Sequence, residues 1–300
     1  MLKIAHHEIY NHPLPEKHRF PMVKYDLLPQ QLLYEGTCDA ANFFEPELPN
    51  TKYFFSVHEP EYFFDLLNIT LSKKAERKIG FPLTEQLVAR EMIIADGTMK
   101  ASEYAIKNGI AMNIAGGTHH AFSNRGEGFC MLNDQAIGAR YLQQKGLANK
   151  ILMVDLDVHQ GNGTAEIFRE DTSVFTFSMH GKANYPFEKE VSDLDIPLET
   201  GTTDKEYLTI LYKTLPELIK QQQPDFIYYL SGVDVLESDK LGKLSLSIDA
   251  CAARDRFVLQ TCYDHQIPVM CSMGGGYSED INIIINAHAN TFRLAQEIFF

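Results

Sequence analysis

The sequence predicts a three-layer α/β/α domain with a central, mostly parallel sheet. Three observations lead there: short apolar runs of β-forming residues, helical patterns between those runs, and chemically distinctive residues just after the runs. Strands that are apolar throughout are buried on both faces, and their alternation with helices marks parallel crossovers. In open sheets of this kind, sites gather beyond the carboxyl ends of the strands.

In chain order, the first clear helical pattern is Thr84–Asn108, followed by the apolar run Gly109–Ala115, which meets Gly116-Gly117. A second helix, Asn133–Lys145, leads into the run Lys150–Asp155, which ends on an acid. Val174–Met179 is a third run. The helix Thr203–Gln222 then precedes Asp225–Leu230, whose centre is Phe226-Ile227-Tyr228-Tyr229-Leu230. The helix Ala250–His265, the run Pro268–Met273 and the helix Asp280–Phe299 complete the pattern.

At 300 residues with 45% apolar content, the chain can build one sizeable core, and the reading is a single domain over 1–300. No Gly/Ser tract, low-complexity run or repeat divides it. No apolar stretch reaches the ~18 residues of a membrane span, and Met1-Leu2-Lys3-Ile4-Ala5-His6-His7-Glu8 turns polar too early for a secretory signal. A soluble, cytoplasmic protein is expected. The five cysteines are scattered and contain no C-x-x-C pair, which fits reduced thiols better than structural zinc or disulfides. A net charge of −13 excludes the basic footprint of a direct nucleic-acid binder. It favours the approach of a cationic partner, although solubility alone explains it at least as well.

The chemistry concentrates in four stretches: Gly116-Gly117-Thr118-His119-His120, Val154-Asp155-Leu156-Asp157-Val158-His159, Gly232-Val233-Asp234 and Gly274-Gly275-Gly276-Tyr277. Asp157 and His159 are two apart at a strand end, so their side chains leave on one face. With Asp234 they offer two carboxylates and an imidazole, a set that suits Zn²⁺ with an open fourth position; Fe²⁺ and Co²⁺ accept the same ligand types. Asp155 shares that face and is expected to fix the tautomer of a catalytic histidine. The glycines before His119 and His120 argue for close backbone approach rather than a structural histidine pair. Three metal ligands, two imidazoles for proton transfer and the Tyr277 phenol together make a kit for hydrolysing an acyl-lysine amide.

These residues resemble the zinc-dependent histone deacetylases of the arginase/deacetylase fold. The densest agreement lies in Ala115–Ala121, Gly126-Glu127-Gly128-Phe129-Cys130, Val154–Gly163 and Ser178-Met179-His180, and it extends back to His18-Arg19-Phe20-Pro21. His159-Gln160-Gly161-Asn162-Gly163 is similar to the class IV branch and its bacterial relatives. The resemblance implies zinc on Asp157, His159 and Asp234, an attacking water between His119 and His120, and Tyr277 donating to the scissile carbonyl. It also implies a structural K⁺ held by Asp155, by the Ser178 hydroxyl and by backbone carbonyls, including that of Met179. Phe129 would line a narrow substrate tunnel, with Gly128 and Gly275 beside the substrate. His120 would act as general base and then return the proton to the leaving amine. The substrate would be an acyl-lysine in a protein or peptide, the acyl group acetyl or longer, since the class IV resemblance leaves removal of longer chains open.

Two departures from the commoner family pattern stand out. Asn162 occupies the place behind the second histidine where an Asp is usual, so His120 should hold a proton less tightly. The rim segment Lys78-Ile79-Gly80-Phe81-Pro82 lacks the Asp that grips a peptide backbone in many relatives. A binuclear ureohydrolase is excluded because Gly161 and Gly232 stand where its additional acids would be. Two other readings, a non-catalytic acyl-lysine binder and a deacetylase of small acetylated amines, share the same fold. Cys130 has no paired base and is not a nucleophile candidate.

Overall fold

A computed structural model describes residues 1–300. Eight strands form one sheet: β1 (Lys3–Ala5), β2 (Phe43–Phe44), β3 (Ile110–Asn113), β4 (Ile151–Asp155), β5 (Val174–Gly181), β6 (Leu194–Leu198), β7 (Phe226–Leu230) and β8 (Val269–Ser272). Their order across the sheet is β2-β1-β3-β8-β7-β4-β5-β6. Every pairing is parallel. Strand β8, the last in the chain, therefore lies in the interior between β3 and β7.

Nine α-helices accompany the sheet: α1 (Lys24–Tyr34), α2 (Pro60–Leu67), α3 (Lys73–Ile79), α4 (Glu85–Asn108), α5 (Asp134–Gln144), α6 (Asn162–Phe168), α7 (Asp204–Gln222), α8 (Ile248–Asp264) and α9 (Ile281–Phe299). Helix α4 packs on β1, β3 and β8 and against α5. Helices α1, α9, α8 and α7 pack in succession as a second layer. The central strands are buried on both faces because both faces are covered; all five residues of β7 are buried. The Tyr228 and Tyr229 hydroxyls, fully buried, are satisfied by Ser102 Oγ at 2.8 Å and Asp255 Oδ1 at 2.5 Å.

The five strands and five helices expected from the sequence are all present, and the ends differ by a few residues. Thr84, Asn133 and Asp280, read as first helical residues, are N-caps that accept from the amide of Leu87, Ala136 and Asn282. Helix α8 starts earlier than expected, capped by Ser247. Strand β5 runs two residues beyond Met179, to Gly181. The short N-terminal elements, the edge strand β6 and helix α6 were not anticipated. All five cysteines are buried and unpaired, and no helix is long and apolar enough to cross a membrane.

Candidate metal centre and catalytic pocket

Loops after β3, β8, β7 and β4, four neighbouring strands, converge at the carboxyl edge of the sheet. They bring His119 and His120, Gly275 and Tyr277, Asp234, and Asp157 and His159 to one pocket lined by aromatic rings. Asp157, His159 and Asp234 each present a ligand atom, all within 4.8 Å of one another, and all three are buried. His159 Nδ1 lies 3.0 Å from Asp157 Oδ1 and 3.1 Å from Asp234 Oδ2. The donor set fits a divalent ion: two buried carboxylates need a positive charge between them. Burial opposes charge on His159, yet bonds to Asp157 and Asp234 lift its pKa to about 10, as expected of an imidazole set between two carboxylates. Burial and the neighbouring Asp157 push Asp234 up. Asp157 is held well below the usual carboxylate range, because His119 and His159 outweigh its burial.

Surrounding bonds fix these ligands. The Val158 amide donates to Asp234 Oδ1 and the Gly275 amide to Asp157 Oδ2, each at 2.9 Å. Gly161 and Gly232, where a second metal would need acids, are sterically closed. A Cβ at either would meet the Asp155 or Asp157 carboxylate at 2.3 Å.

The two histidines stack with ring centroids 4.1 Å apart, and each has a different partner. His119 Nδ1 donates to Asp155 Oδ2 at 2.7 Å, and His120 Nδ1 donates to Asn162 Oδ1 at 2.6 Å. An amide oxygen only accepts, so His120 carries its proton on Nδ1 and keeps the Nε2 lone pair free. Their proton affinities separate accordingly. Burial disfavours charge on both. Asp155 and Asp157 override it at His119 and raise its pKa, whereas His119 and His159 add to it at His120 and lower its pKa well below the ordinary value. Burial and the Asp234 and Asp157 charges raise Tyr277 well above 10, so it stays a phenol and a donor.

Phe129 and Tyr277 face each other across the pocket with centroids 6.1 Å apart. Phe129 adopts φ +68°, a left-handed conformation rare for a bulky residue and costing of order 1–3 kcal/mol. Phe20, absent from the expected lining, sits 5.2 Å from Phe129 and 5.9 Å from Tyr277. Asp155 and Ser178 are register partners on β4 and β5, and Met179 is buried beside them. The Ser178 hydroxyl meets His180 Nδ1 at 3.0 Å.

Three further residues escaped the sequence reading. Asp134 accepts the amides of Gly117 and Thr118, each at 2.9 Å, and so shapes the loop that aims His119 and His120. Arg254, fully buried, donates to the carbonyls of Leu156 at 3.1 Å and Gly232 at 2.7 Å, tying together the loops that carry Asp157, His159 and Asp234. Lys24, also fully buried, donates to the Gly274 carbonyl at 3.1 Å. Burial outweighs the pull of Asp234, Asp157 and Asp239 and lowers its pKa to about 8. The one visible signal was a lysine within the apolar stretch Phe20–Tyr25.

This fold and pocket define a histone deacetylase-type hydrolase: the chain belongs to the histone deacetylase domain family, whose sequence model matches residues 17–292. It is 44% identical over 296 residues to an uncharacterized protein of Picosynechococcus sp., covering 99% of each chain. It is 31% identical over 205 residues to histone deacetylase 2 of Arabidopsis thaliana, covering 67% of this chain and about half (51%) of that one. A crystal structure of a histone deacetylase homologue from Aquifex aeolicus superposes with a TM-score of 0.84 at 25% identity, covering 98% of this chain and 84% of that one.

Proposed function

We propose that the protein is a zinc-dependent deacylase that removes acetyl or other short acyl groups from the ε-amine of lysine in proteins or peptides. One observation carries this reading: a proton-accepting histidine, a phenol donor and a three-ligand metal set meet at the bottom of one aromatic-walled pocket. Asp157, His159 and Asp234 would hold the ion, which supplies Lewis acidity toward a carbonyl and lowers the pKa of water. The Asp155 carboxylate and carbonyl, the Ser178 hydroxyl and the Met179 carbonyl would hold a structural potassium ion.

His120 Nε2 takes a proton from the attacking water, since this imidazole is neutral at neutral pH. Tyr277 donates to the oxygen as negative charge develops on it. His120 then returns the proton to the leaving nitrogen. It lines both the inner pocket and the outer cleft, whereas His119 lines only the inner one, so His120 is on the side where the amine departs. His119, with Asp155 behind it, holds a proton more readily than His120 and so favours positive charge beside the reacting carbonyl.

The inner pocket is narrow, lined by His120, Phe129 and Tyr277 where it opens into the outer cleft, and an acetyl group is the acyl group proposed to fit it best. The test is a panel of acetyl-, short-acyl- and long-acyl-lysine peptides with acetylpolyamines, alongside metal analysis. Turnover falling as the acyl chain lengthens is expected. Preference for acetylpolyamines over every peptide would replace lysine by a small amine as the substrate.

A further inference from the structure

The mouth of the pocket differs in charge from the molecule as a whole. The chain carries −13, which taken alone favours a cationic partner. Yet the cleft of about 350 Å³ outside the tunnel is lined by Arg19, Lys78 and Lys243 and by no carboxylate. Lys78 is compensated, because its Nζ lies 3.2 Å from Glu127 Oε1. Arg19 and Lys243 are not. The Arg19 guanidinium rests 4.9 Å above the Phe129 ring, which holds it at the edge of the tunnel wall, and it has no ion-pair partner. Lys243 Nζ donates to the Ala183 carbonyl at 2.9 Å, a neutral acceptor that leaves its charge uncancelled and further N–H groups free.

Position gives these charges a use. His120 and Tyr277 line both the tunnel and this cleft, so the cleft begins on the amine side of the bond to be cut. It receives whatever is attached to the acylated amine. We propose that Arg19 and Lys243 select substrates bearing a carboxylate near the acylated amine, from an acidic residue beside the acyl-lysine or from the lysine's own free α-carboxylate. This rests on the deacylase reading above. Arginine presents a planar fork that matches a carboxylate, and lysine adds a mobile point charge. A polyamine or a lysine-rich peptide meets like charge in the same place.

The test compares kcat/KM for acetyl-lysine peptides that are identical except at their charge: Glu-flanked, Gln-flanked and Lys-flanked peptides with amidated ends, and the Gln-flanked peptide ending in a free acetyl-lysine carboxylate. The zinc-loaded protein should prefer at least one anionic peptide over the neutral one by roughly three- to tenfold, mainly through KM, as expected for two partly exposed charges. The Glu-flanked and free-carboxylate arms tell the two carboxylate sources apart. Arg19→Gln and Lys243→Gln should each bring the anionic-to-neutral ratio toward one, and Lys243→Arg should restore it. Because the readout is a ratio within one variant, a general loss of activity does not imitate the effect. Equal rates for all charges, or a preference for the Lys-flanked peptide, would overturn the proposal and leave the deacylase reading standing. No turnover of any acetyl-lysine peptide would overturn both.

Discussion

At the scale of single residues, the two histidines show how burial and charged neighbours separate the proton affinities of adjacent imidazoles. His119 faces a carboxylate and His120 an amide oxygen, at nearly equal distances of 2.7 and 2.6 Å. Asn162→Asp places a negative charge against His120 and raises its pKa. A base works only when deprotonated, so the acidic limb of the pH–kcat/KM profile should move to higher pH, with rate lost below it. Profiles of both proteins on one acetyl-lysine peptide check this; an unmoved limb would dissociate Asn162 from the base. Tyr277 invites a second substitution. Tyr277→Phe keeps the ring that packs near Phe20 and Phe129 but removes the donor, so kcat should fall by ~10²–10³ while metal content is unchanged. Near-normal turnover would reduce the tyrosine to a packing residue.

At the scale of elements, the site depends on ties between loops. Arg254 reaches from α8 to the loops after β4 and β7 and also donates to Asp255 at 2.8 Å, with both side chains fully buried. Arg254→Met should destabilise the protein by about 3–5 kcal/mol, because Asp255 is left without its counter-charge. Urea unfolding midpoints, with metal content of the folded variant, measure it; a loss below 1 kcal/mol would mean that Arg254 only fills space. The same ties explain what was legible in the sequence. Asp157, His159, Asp234 and Tyr277 were readable because each directly follows an apolar run at a fixed short spacing. Arg254, Asp134 and Lys24 were not, since each acts on backbone groups of a distant segment. Among the elements, β1 and β2 have three and two residues, too few to show a period. Strand β6 is a half-exposed edge containing Pro197 and lacks the apolar run of a buried strand. Helix α1 has Pro29 inside it, which interrupts its pattern.

At the scale of the whole molecule, the proposed ion couples to folding. Its ligands come from the loops after β4 and β7, so only the folded chain assembles the full set, and a bound ion stabilises that state. The wild type should carry about one divalent ion per chain, as a three-ligand open site requires. Chelation should lower Tm and zinc should restore it, with stabilisation of ~2.7 kcal/mol when free zinc is a hundred times Kd. Asp157→Ala and Asp234→Ala should lose both the ion and the response to zinc. Metal analysis and calorimetry of these variants decide it, and full occupancy in both would displace the assigned ligands.

The place of β8 bears on the order of events during synthesis. It joins β3 on one side and β7 on the other, yet it is made after both. Until residues 269–272 leave the ribosome, the chain holds two separate part-sheets, β2-β1-β3 and β7-β4-β5-β6. The candidate metal ligands, in the loops after β4 and β7, belong to one part and the histidine pair to the other, joined by the His119–Asp155 and His120–Asn162 bonds. The candidate pocket therefore spans a seam that β8 fills, and Tyr277, which follows β8, is the last of its side chains to be made, so the pocket is complete only when the final strand and the loop after it are in place.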